Sequence, residues 1–277
     1  MTISVLWYRK LENELWCVAD SRITNNSDSV ITDSGPKILP IPIVCHKNSK
    51  KTKYKRTFSY TFGFSFSGST LAAINAHSLA SACTQNLASI SKSSQKVSVK
   101  TVAELYRKIS EQYIKDMSFS QINSNIKQYF FEAFIFGFCP RQRVYKAFQI
   151  YPLMTGNSFE MVLADAELYS DRYYPIGSGT EDFKALFNEL ERNDTDHIIT
   201  TLQEMLNTAK RRDVGGHFQL GVANKIDFNL MPVLSREYES EKDNVSFLGW
   251  DVDTAGDLDE YRIGFQAFSP ATLKKSS

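Results

Sequence analysis

The sequence lacks the residue patterns of several common cofactor sites. Its four cysteines stand far apart with no C-x-x-C pair, and its four histidines lack the spacing of metal ligands. Neither of the two common glycine-rich nucleotide-binding motifs occurs. We therefore expect no metal, no nucleotide and no other cofactor. The cysteines, which we expect to be reduced thiols, are Cys17, Cys45, Cys83 and Cys139.

The chain also lacks a large net charge and a long apolar run. Its 32 Lys and Arg residues nearly balance 31 Asp and Glu residues, so nucleic acid and anionic membranes are not favoured as partners. No segment approaches the roughly 18–20 apolar residues that span a bilayer. The apolar residues 2–8 are followed by Arg9 and Lys10 without a small-residue cleavage site, which argues against a signal peptide. We expect a cytoplasmic protein.

The composition is that of a globular protein, with 42% hydrophobic and 23% charged residues. One segment departs from it, because residues 46–56 are rich in lysine. We interpret residues 44–60 as an insertion that ends in a solvated loop. Docking of an acidic partner or of nucleic acid is the alternative interpretation.

Strand-like and helix-like segments alternate in groups. The strand-like segments include residues 2–8, 14–19, 35–45, 57–68, 129–138, 144–153 and most of 217–234. The helix-like segments cover residues 69–90, 102–117, 180–192 and 194–210. Pro40 and Pro42 confine their strand to a sheet edge or an irregular stretch. A C-P-R-Q-R turn between residues 138 and 144 predicts a hairpin.

This order predicts an α+β fold. Strands that follow one another directly argue against a parallel sheet with single crossover helices. Two antiparallel sheets packed face to face, with a helix pair outside each, accommodate the order with short connections. We therefore predict a four-layer αββα sandwich.

The first strand begins unusually early. An apolar, β-branched run starts directly behind Met1, whereas chain termini are usually poorly ordered unless something fixes them. Either this strand is a plain edge strand, or its first residue, Thr2, is held in place for a reason.

Five short strings occur in an order typical of one family. They are T-I-S-V at residues 2–5, V-A-D-S-R at 18–22, G-P-K-I at 35–38, F-S-G-S at 66–69 and I-G-S-G at 176–179. Together they resemble proteasome β-subunits and their bacterial relatives, which are N-terminal-nucleophile (Ntn) hydrolases with the αββα fold. The resemblance covers roughly residues 2–225. It implies a domain over residues 1–235 and a C-terminal extension over 236–277.

The chemistry of Thr2 fits this resemblance. A threonine hydroxyl is a weak nucleophile that needs an adjacent base. If Met1 is removed, which the small residue behind it favours, Thr2 carries a free α-amine whose ordinary pKa is about 7.7–8.0. An amine of this pKa is a suitable general base near neutral pH. Nucleophile and base would then belong to one residue.

The resemblance also implies roles for other residues. Lys37 resembles the lysine beside the threonine hydroxyl, and Asp20 resembles the acid that orients this lysine. The backbone N–H of Gly68, or that of Ser67 if the register shifts by one residue, would bind the oxyanion.

Two further residues resemble the part of the family's site that binds the threonine amine. Ser178 resembles the serine that binds this amine, and Asp213 resembles the second acid. The family's R-D-x-x-S-G-G is here R-D-V-G-G, so the serine partner of Asp213 is missing or replaced. This difference is typical of divergent bacterial proteasome-like proteins.

The resulting functional prediction is a threonine peptidase that cleaves peptides or proteins through an acyl-enzyme. The resemblance implies a ring-like homo-oligomer, and a separate unfoldase is an additional possible partner because the chain has no ATPase motif. The two alternatives are an inactive scaffold with the same fold and an Ntn amidohydrolase of small amides.

Overall fold

The computed structural model describes residues 2–25, 29–47, 55–90, 95–119, 125–156, 158–189, 197–208, 211–236, 243–263 and 267–270. In these residues the first eight strands are β1 (Ser4–Arg9), β2 (Glu14–Asp20), β3 (Ile23–Thr24), β4 (Val30–Thr32), β5 (Ile38–Lys47), β6 (Lys55–Gly68), β7 (Leu87–Ala88) and β8 (Phe131–Cys139). The other strands are β9 (Val144–Thr155), β10 (Ser158–Ala166), β11 (Tyr173–Ile176), β12 (Phe218–Ala223), β13 (Phe228–Met231), β14 (Val233–Arg236), β15 (Asp243–Phe247) and β16 (Trp250–Asp251). The α-helices are α1 (Thr70–Thr84), α2 (Val99–Phe119), α3 (Thr180–Glu189) and α4 (Ile198–Thr208).

Two large sheets dominate the fold. The five-stranded sheet has the order β11-β1-β2-β12-β13, and the six-stranded sheet has the order β10-β9-β8-β6-β5-β7. All their strand pairs are antiparallel except the short pair of β5 with β7. The predicted α+β class is confirmed.

The hydrophobic core divides into three clusters. One contains residues of α1, α2 and the six-stranded sheet, and a second contains residues of α3, α4 and the five-stranded sheet. The third combines residues of the two sheets, such as Leu6 and Phe134. Alternation along β1 explains how one strand serves two clusters, because Val5 and Trp7 belong to the second cluster and Leu6 to the third.

The hairpin predicted around residues 139–143 is confirmed. Its strands β8 and β9 pair from Ala133 opposite Ile150 to Cys139 opposite Val144. The edge position predicted from Pro40 and Pro42 also agrees with the pairing, because β7 joins β5 in the described residues only at Cys45 and His46. A proline lacks the N–H that a second neighbouring strand would require.

The first predicted helix is shorter than expected. It ends at Thr84 rather than near residue 90, and Leu87 and Ala88 form a strand instead. Its leucines do not form the buried face, since Leu71 and Leu79 are 60% and 45% exposed. The buried residues of α1 are Ala72, Ala73, Ala76, Ala80 and Thr84. Small side chains allow the helix to pack closely on its neighbours, which the hydrophobic spacing alone does not indicate.

The C-terminal residues pack against the rest of the chain. Phe268 donates its N–H to Pro232 and lies edge-on to the ring of Trp16. The domain boundary predicted at residue 235 falls within β14, and the boundary stays a prediction. Of the predicted basic insertion, residues 48–54 lie outside the described residues. No helix in the described parts of the chain is long and apolar enough to cross a membrane.

The alanine face of α1 leads to a stability prediction. Ala76 is fully buried, and extra methylene groups in a packed core cost roughly 1–3 kcal/mol. We expect Ala76→Leu to lower the free energy of unfolding by about this amount in urea denaturation. Leu71→Ala on the exposed face is the control, with an expected change within about 0.5 kcal/mol. A larger loss in Leu71→Ala than in Ala76→Leu would contradict this packing.

Candidate active site

Asp20 connects the start of the chain to the end of β2. The antiparallel register of β1 and β2 brings Ile3 beside Asp20. The N–H of Asp20 donates to the carbonyl of Ile3 at 3.2 Å, and the N–H of Ile3 donates to Oδ1 of Asp20 at 3.0 Å. The residue that follows Thr2 is therefore held by the carboxylate predicted to be part of the site. Thr2 itself is buried.

Lys37 and Asp20 form a buried ion pair. Nζ of Lys37 lies 2.8 Å from Oδ1 of Asp20, and the two side chains are 2% and 0% exposed. Oδ2 of Asp20 accepts N–H bonds from Gly215 at 3.1 Å and from Arg22 at 3.3 Å. The negative charge of the buried carboxylate is thus compensated by Lys37 and by three main-chain N–H groups, those of Ile3, Arg22 and Gly215.

Burial also controls the ionisation of Lys37. Removal from water lowers the pKa of Lys37, and this effect outweighs the attraction of Asp20 and the hydrogen bond to it. Asp213 contributes a further, weaker attraction. The structure therefore places both predicted acids in the electrostatic environment of the lysine.

Gln219 positions the backbone of Lys37. Its Oε1 accepts N–H bonds from Lys37 at 2.9 Å and from Ile38 at 3.3 Å. Its Nε2 donates to the carbonyls of Gly35 at 2.7 Å and of Leu248 at 3.1 Å. Through this buried side chain, a residue of the predicted C-terminal extension contributes to the support of the lysine.

A glycine turn after β11 lies against Thr2. The N–H of Gly179 donates to the carbonyl of Thr2 at 3.3 Å. Gly177 has a φ of +107°, and a Cβ there would collide with the carbonyl of Thr2 and lie 2.5 Å from Oγ of Ser67. Because only glycine fits at Gly177, the I-G-S-G string is explained by close approach to Thr2.

Gly68 also lies at a close backbone contact. Its φ is +108°, and a Cβ there would lie 2.6 Å from the carbonyl oxygen of Phe130. The N–H of Ser69 donates to that same carbonyl at 2.9 Å. This explains why a glycine ends β6, whereas the oxyanion role predicted for Gly68 or Ser67 stays a prediction.

Asp213 has a different second partner from the one the family motif suggests. Oγ of Ser178 donates to Oδ2 of Asp213 at 2.7 Å. Arg211 occupies the remaining side with two bonds of 2.8 Å, one to each carboxylate oxygen. Burial raises the pKa of Asp213, but the hydrogen bonds from Arg211 and Ser178 prevail and lower it to about 2.

The structure brings the predicted residues into two linked groups. Asp20 binds both Lys37 and Ile3, and Ser178 binds Asp213 next to the glycine that binds Thr2. Sequence reasoning missed the supporting residues Gln219 and Arg211. Arg211 adjoins the R-D-V-G-G motif and could have been noticed there, whereas a glutamine within the β12 sequence gives no signal.

Other polar groups lie apart from this arrangement. His217, considered as a neighbour of the site, has an exposed side chain, while its backbone N–H donates to Oγ of Ser21 at 2.6 Å. No three potential metal-binding side chains cluster among the described residues. A cavity of about 510 Å³ lies at the opposite end of the five-stranded sheet, beside Glu14 and Trp16, and none of the predicted site residues lines it.

The contacts of Asp20 predict unequal effects of mutating the two partners. Asp20→Ala leaves Lys37 buried without its counter-charge, which costs roughly 3–5 kcal/mol. Lys37→Met leaves Asp20 with three backbone donors, so we expect a smaller loss than in Asp20→Ala. Urea denaturation at pH 7 measures both variants. Equal losses would show that the backbone donors do not compensate the carboxylate.

The Arg211–Asp213 pair predicts an acid-dependent part of the stability. A carboxyl pKa lowered from 3.8 to about 2 stabilises the fold above pH 4, and this contribution disappears as the pH falls towards 2. Arg211→Gln should raise the pKa of Asp213. The difference in stability between wild type and Arg211→Gln should therefore become smaller as the pH falls from 4 to 2. Urea denaturation across this range tests it, with the neighbouring Arg212→Gln as the control. A difference that stays constant with pH would contradict the assignment.

Comparison with known proteins supports the fold. The Anbu (ancestral beta-subunit) structure from Yersinia bercovieri is 14% identical, with a TM-score of 0.53, and the match covers 89% of this chain and 87% of that chain. The eukaryotic HslV structure from Trypanosoma brucei is also 14% identical, with a TM-score of 0.43 and coverage of 80% and 99%. No protein-family model and no curated protein matches the chain. The similarity to the Anbu structure shows the proteasome-like fold, and at 14% identity it shows nothing about activity.

Proposed function

We propose that this chain is an N-terminal threonine hydrolase that cleaves amide bonds of peptides or proteins through an acyl-enzyme. The observation that carries the proposal is the buried Lys37–Asp20 pair, whose carboxylate also binds the N–H of Ile3. Because two charges must lose their hydration, a buried ion pair contributes little to stability, and stability alone is a weak explanation for it. The bond from Asp20 to the residue after Thr2 supports a catalytic role for the pair.

The reaction begins at Thr2 once Met1 has been removed. The α-amine takes the proton of the Thr2 hydroxyl while Oγ attacks the substrate carbonyl carbon. The N–H of Gly68 stabilises the negative oxygen that forms there. The C–N bond then breaks, the amine returns the proton to the leaving nitrogen, and an ester joins Thr2 to the acyl group. Water hydrolyses this ester and restores Thr2.

The surrounding charges assist this step. The bond to Asp20 favours the charged form of Lys37, whereas burial lowers the pKa of this lysine. In the proposed reaction the Lys37 cation would stand beside the Thr2 hydroxyl and favour the negative charge that develops on Oγ. Ser178, whose hydroxyl donates to Asp213, would orient the Thr2 amine with its oxygen as acceptor. No cofactor takes part in any of these steps.

The broader assignment follows from the same resemblance. We propose that the layers stack as an αββα sandwich, that the protein is cytoplasmic and that it forms a ring-like homo-oligomer. Peptides or unfolded proteins would be its substrates, and a separate unfoldase would deliver folded ones. The Anbu structure supports only the fold underlying this assignment.

The test measures the nucleophile directly. Protein expressed with its native start is incubated with a peptide epoxyketone, which captures N-terminal threonines through both Oγ and the amine. We expect an intact mass without Met1 and one adduct per chain, located on Thr2 by peptide mapping. Thr2→Ala should give no adduct, and Thr2→Ser should retain slower labelling because it keeps a hydroxyl beside the amine.

Other labelling results from the folded protein would favour one of the two alternatives. Retained Met1 and no adduct would overturn the peptidase proposal and favour the scaffold. An adduct on Thr2 without cleavage of any peptide library, but with hydrolysis of small amides, would favour the amidohydrolase. Thr24→Ala, which changes a threonine of β3, controls for labelling elsewhere in the chain.

A further inference from the structure

Glu132 is a half-buried carboxylate near Thr2 to which the proposed reaction assigns no role. It is the second residue of β8 and pairs directly with Ser67 of β6 in the six-stranded sheet. The side chain of Ser67 in turn lies against Gly177, because a Cβ added to this glycine would meet both Oγ of Ser67 and the carbonyl of Thr2. The register of the sheet therefore places Glu132 one strand away from the proposed site.

Both oxygens of Glu132 accept hydrogen bonds. Oε1 accepts the N–H of Gly177 at 2.8 Å, and Oε2 accepts Nε2 of Gln149 at 3.0 Å. Gly177 directly follows β11 of the five-stranded sheet, whereas Glu132 and Gln149 belong to the six-stranded sheet. The bond to Gly177 thus connects the two sheets beside Thr2.

The bond to Gly177 fixes the turn that contacts Thr2. The next residue, Ser178, donates to Asp213, and Gly179 donates its N–H to the carbonyl of Thr2. A rotation of the peptide unit at Gly177 would move both of these donors. The carboxylate of Glu132 therefore controls the geometry of the turn without contacting the reacting atoms.

A structural role alone does not explain a carboxylate at this position. The donors that contact Glu132, from β9 and from the turn, are uncharged, and no cation of the described residues forms an ion pair with it. Burial raises the pKa of Glu132 against the effect of the two hydrogen bonds. Because its pKa is raised, the ionised form of Glu132 stabilises the fold less than the protonated form, so stability is lost as the pH rises through this pKa.

We propose that Glu132 is a positioning residue of the threonine hydrolase, whose negative charge holds the N–H of Gly177 and thereby the Ser178–Gly179 turn against Thr2. This inference rests on the proposed function. Charged acceptors bind N–H groups more strongly than neutral ones, which explains why a carboxylate serves better than an amide. The negative charge of Glu132 lowers the stability of the fold but holds Thr2 more precisely in position.

The experiment compares Glu132→Gln, Glu132→Ala and the control Glu160→Gln in the full-length chain. Glu160 is an exposed glutamate of β10, on the same sheet. The first readout is the rate at which the peptide epoxyketone labels Thr2 between pH 5 and pH 9. The second is hydrogen exchange of the peptide that contains Gly177, and the third is thermal stability at pH 5 and pH 8.

We expect Glu132→Ala to slow labelling about tenfold or more at pH 8, because small misplacements of a nucleophile are costly. Glu132→Gln should be slower than wild type at pH 8. Its rate should approach that of wild type on acidification, as Glu132 gains a proton. The ratio of the wild-type rate to the Glu132→Gln rate is used because the titration of the Thr2 amine affects both rates and cancels in the ratio. Glu132→Gln should also be at least as stable as wild type at pH 8, and Glu160→Gln should match wild type throughout.

Several outcomes would overturn the inference. Wild-type labelling rates in both Glu132 variants would do so, as would unchanged exchange at Gly177 in Glu132→Ala. A ratio of wild-type to Glu132→Gln rates that does not vary with pH would exclude a role for the charge. If Glu132→Ala does not fold, Glu132→Gln decides. Wild-type protein without any labelling would instead refute the proposed function, and hydrogen exchange would then test the bond to Gly177 separately.

Discussion

The carboxylate of Asp20 is the group on which the rest of the site depends. It lies at the end of β2 and receives donors from three other parts of the chain: Ile3 before β1, Lys37 before β5 and Gly215 before β12. Because it is fully buried, each missing donor would leave part of its charge uncompensated. The carboxylate therefore fixes where these three segments meet. Lys37 is buried as well, so its charge is compensated only when its ammonium group reaches Asp20.

Close contacts of the backbone constrain three glycines. Gly177 must approach the carbonyl of Thr2 within the distance that a side chain would occupy, and Gly68 must do the same beside Phe130. Gly215 offers its N–H to Asp20 and lies against the guanidinium of Arg22, so a side chain there would have to displace that guanidinium. The glycines are thus not separate turn signals. They lie where the backbone comes close to another segment of the chain.

The sequence allowed the α+β class, the hairpin of β8 and β9 and the Asp20–Lys37 pair to be predicted for different reasons. Strand and helix periodicity is local, and the order of the elements limits the topology. Asp20 and Lys37 were predicted through motif resemblance, since no local rule pairs residues 17 positions apart. The alanine face of α1 was missed because packing between helices, rather than hydrophobicity, selects it. Gln219 and Glu132 were missed because their partners are backbone groups distant in sequence.

The ionisable groups around Thr2 have opposite environments, and this difference defines how the site would respond to pH. Asp213 has an arginine partner and a pKa lowered to about 2, so it stays charged over any ordinary range. Glu132 has only uncharged donors and a raised pKa, so among these two carboxyl groups it is the first to become neutral on acidification. Lys37, with its lowered pKa, is the group shifted towards neutrality from the alkaline side. Separation of this kind between neighbouring titratable groups is typical of catalytic sites. Here it arises from one structural difference: Arg211 reaches Asp213 from the surface, whereas Glu132 lies between the two sheets without a cation among its described contacts.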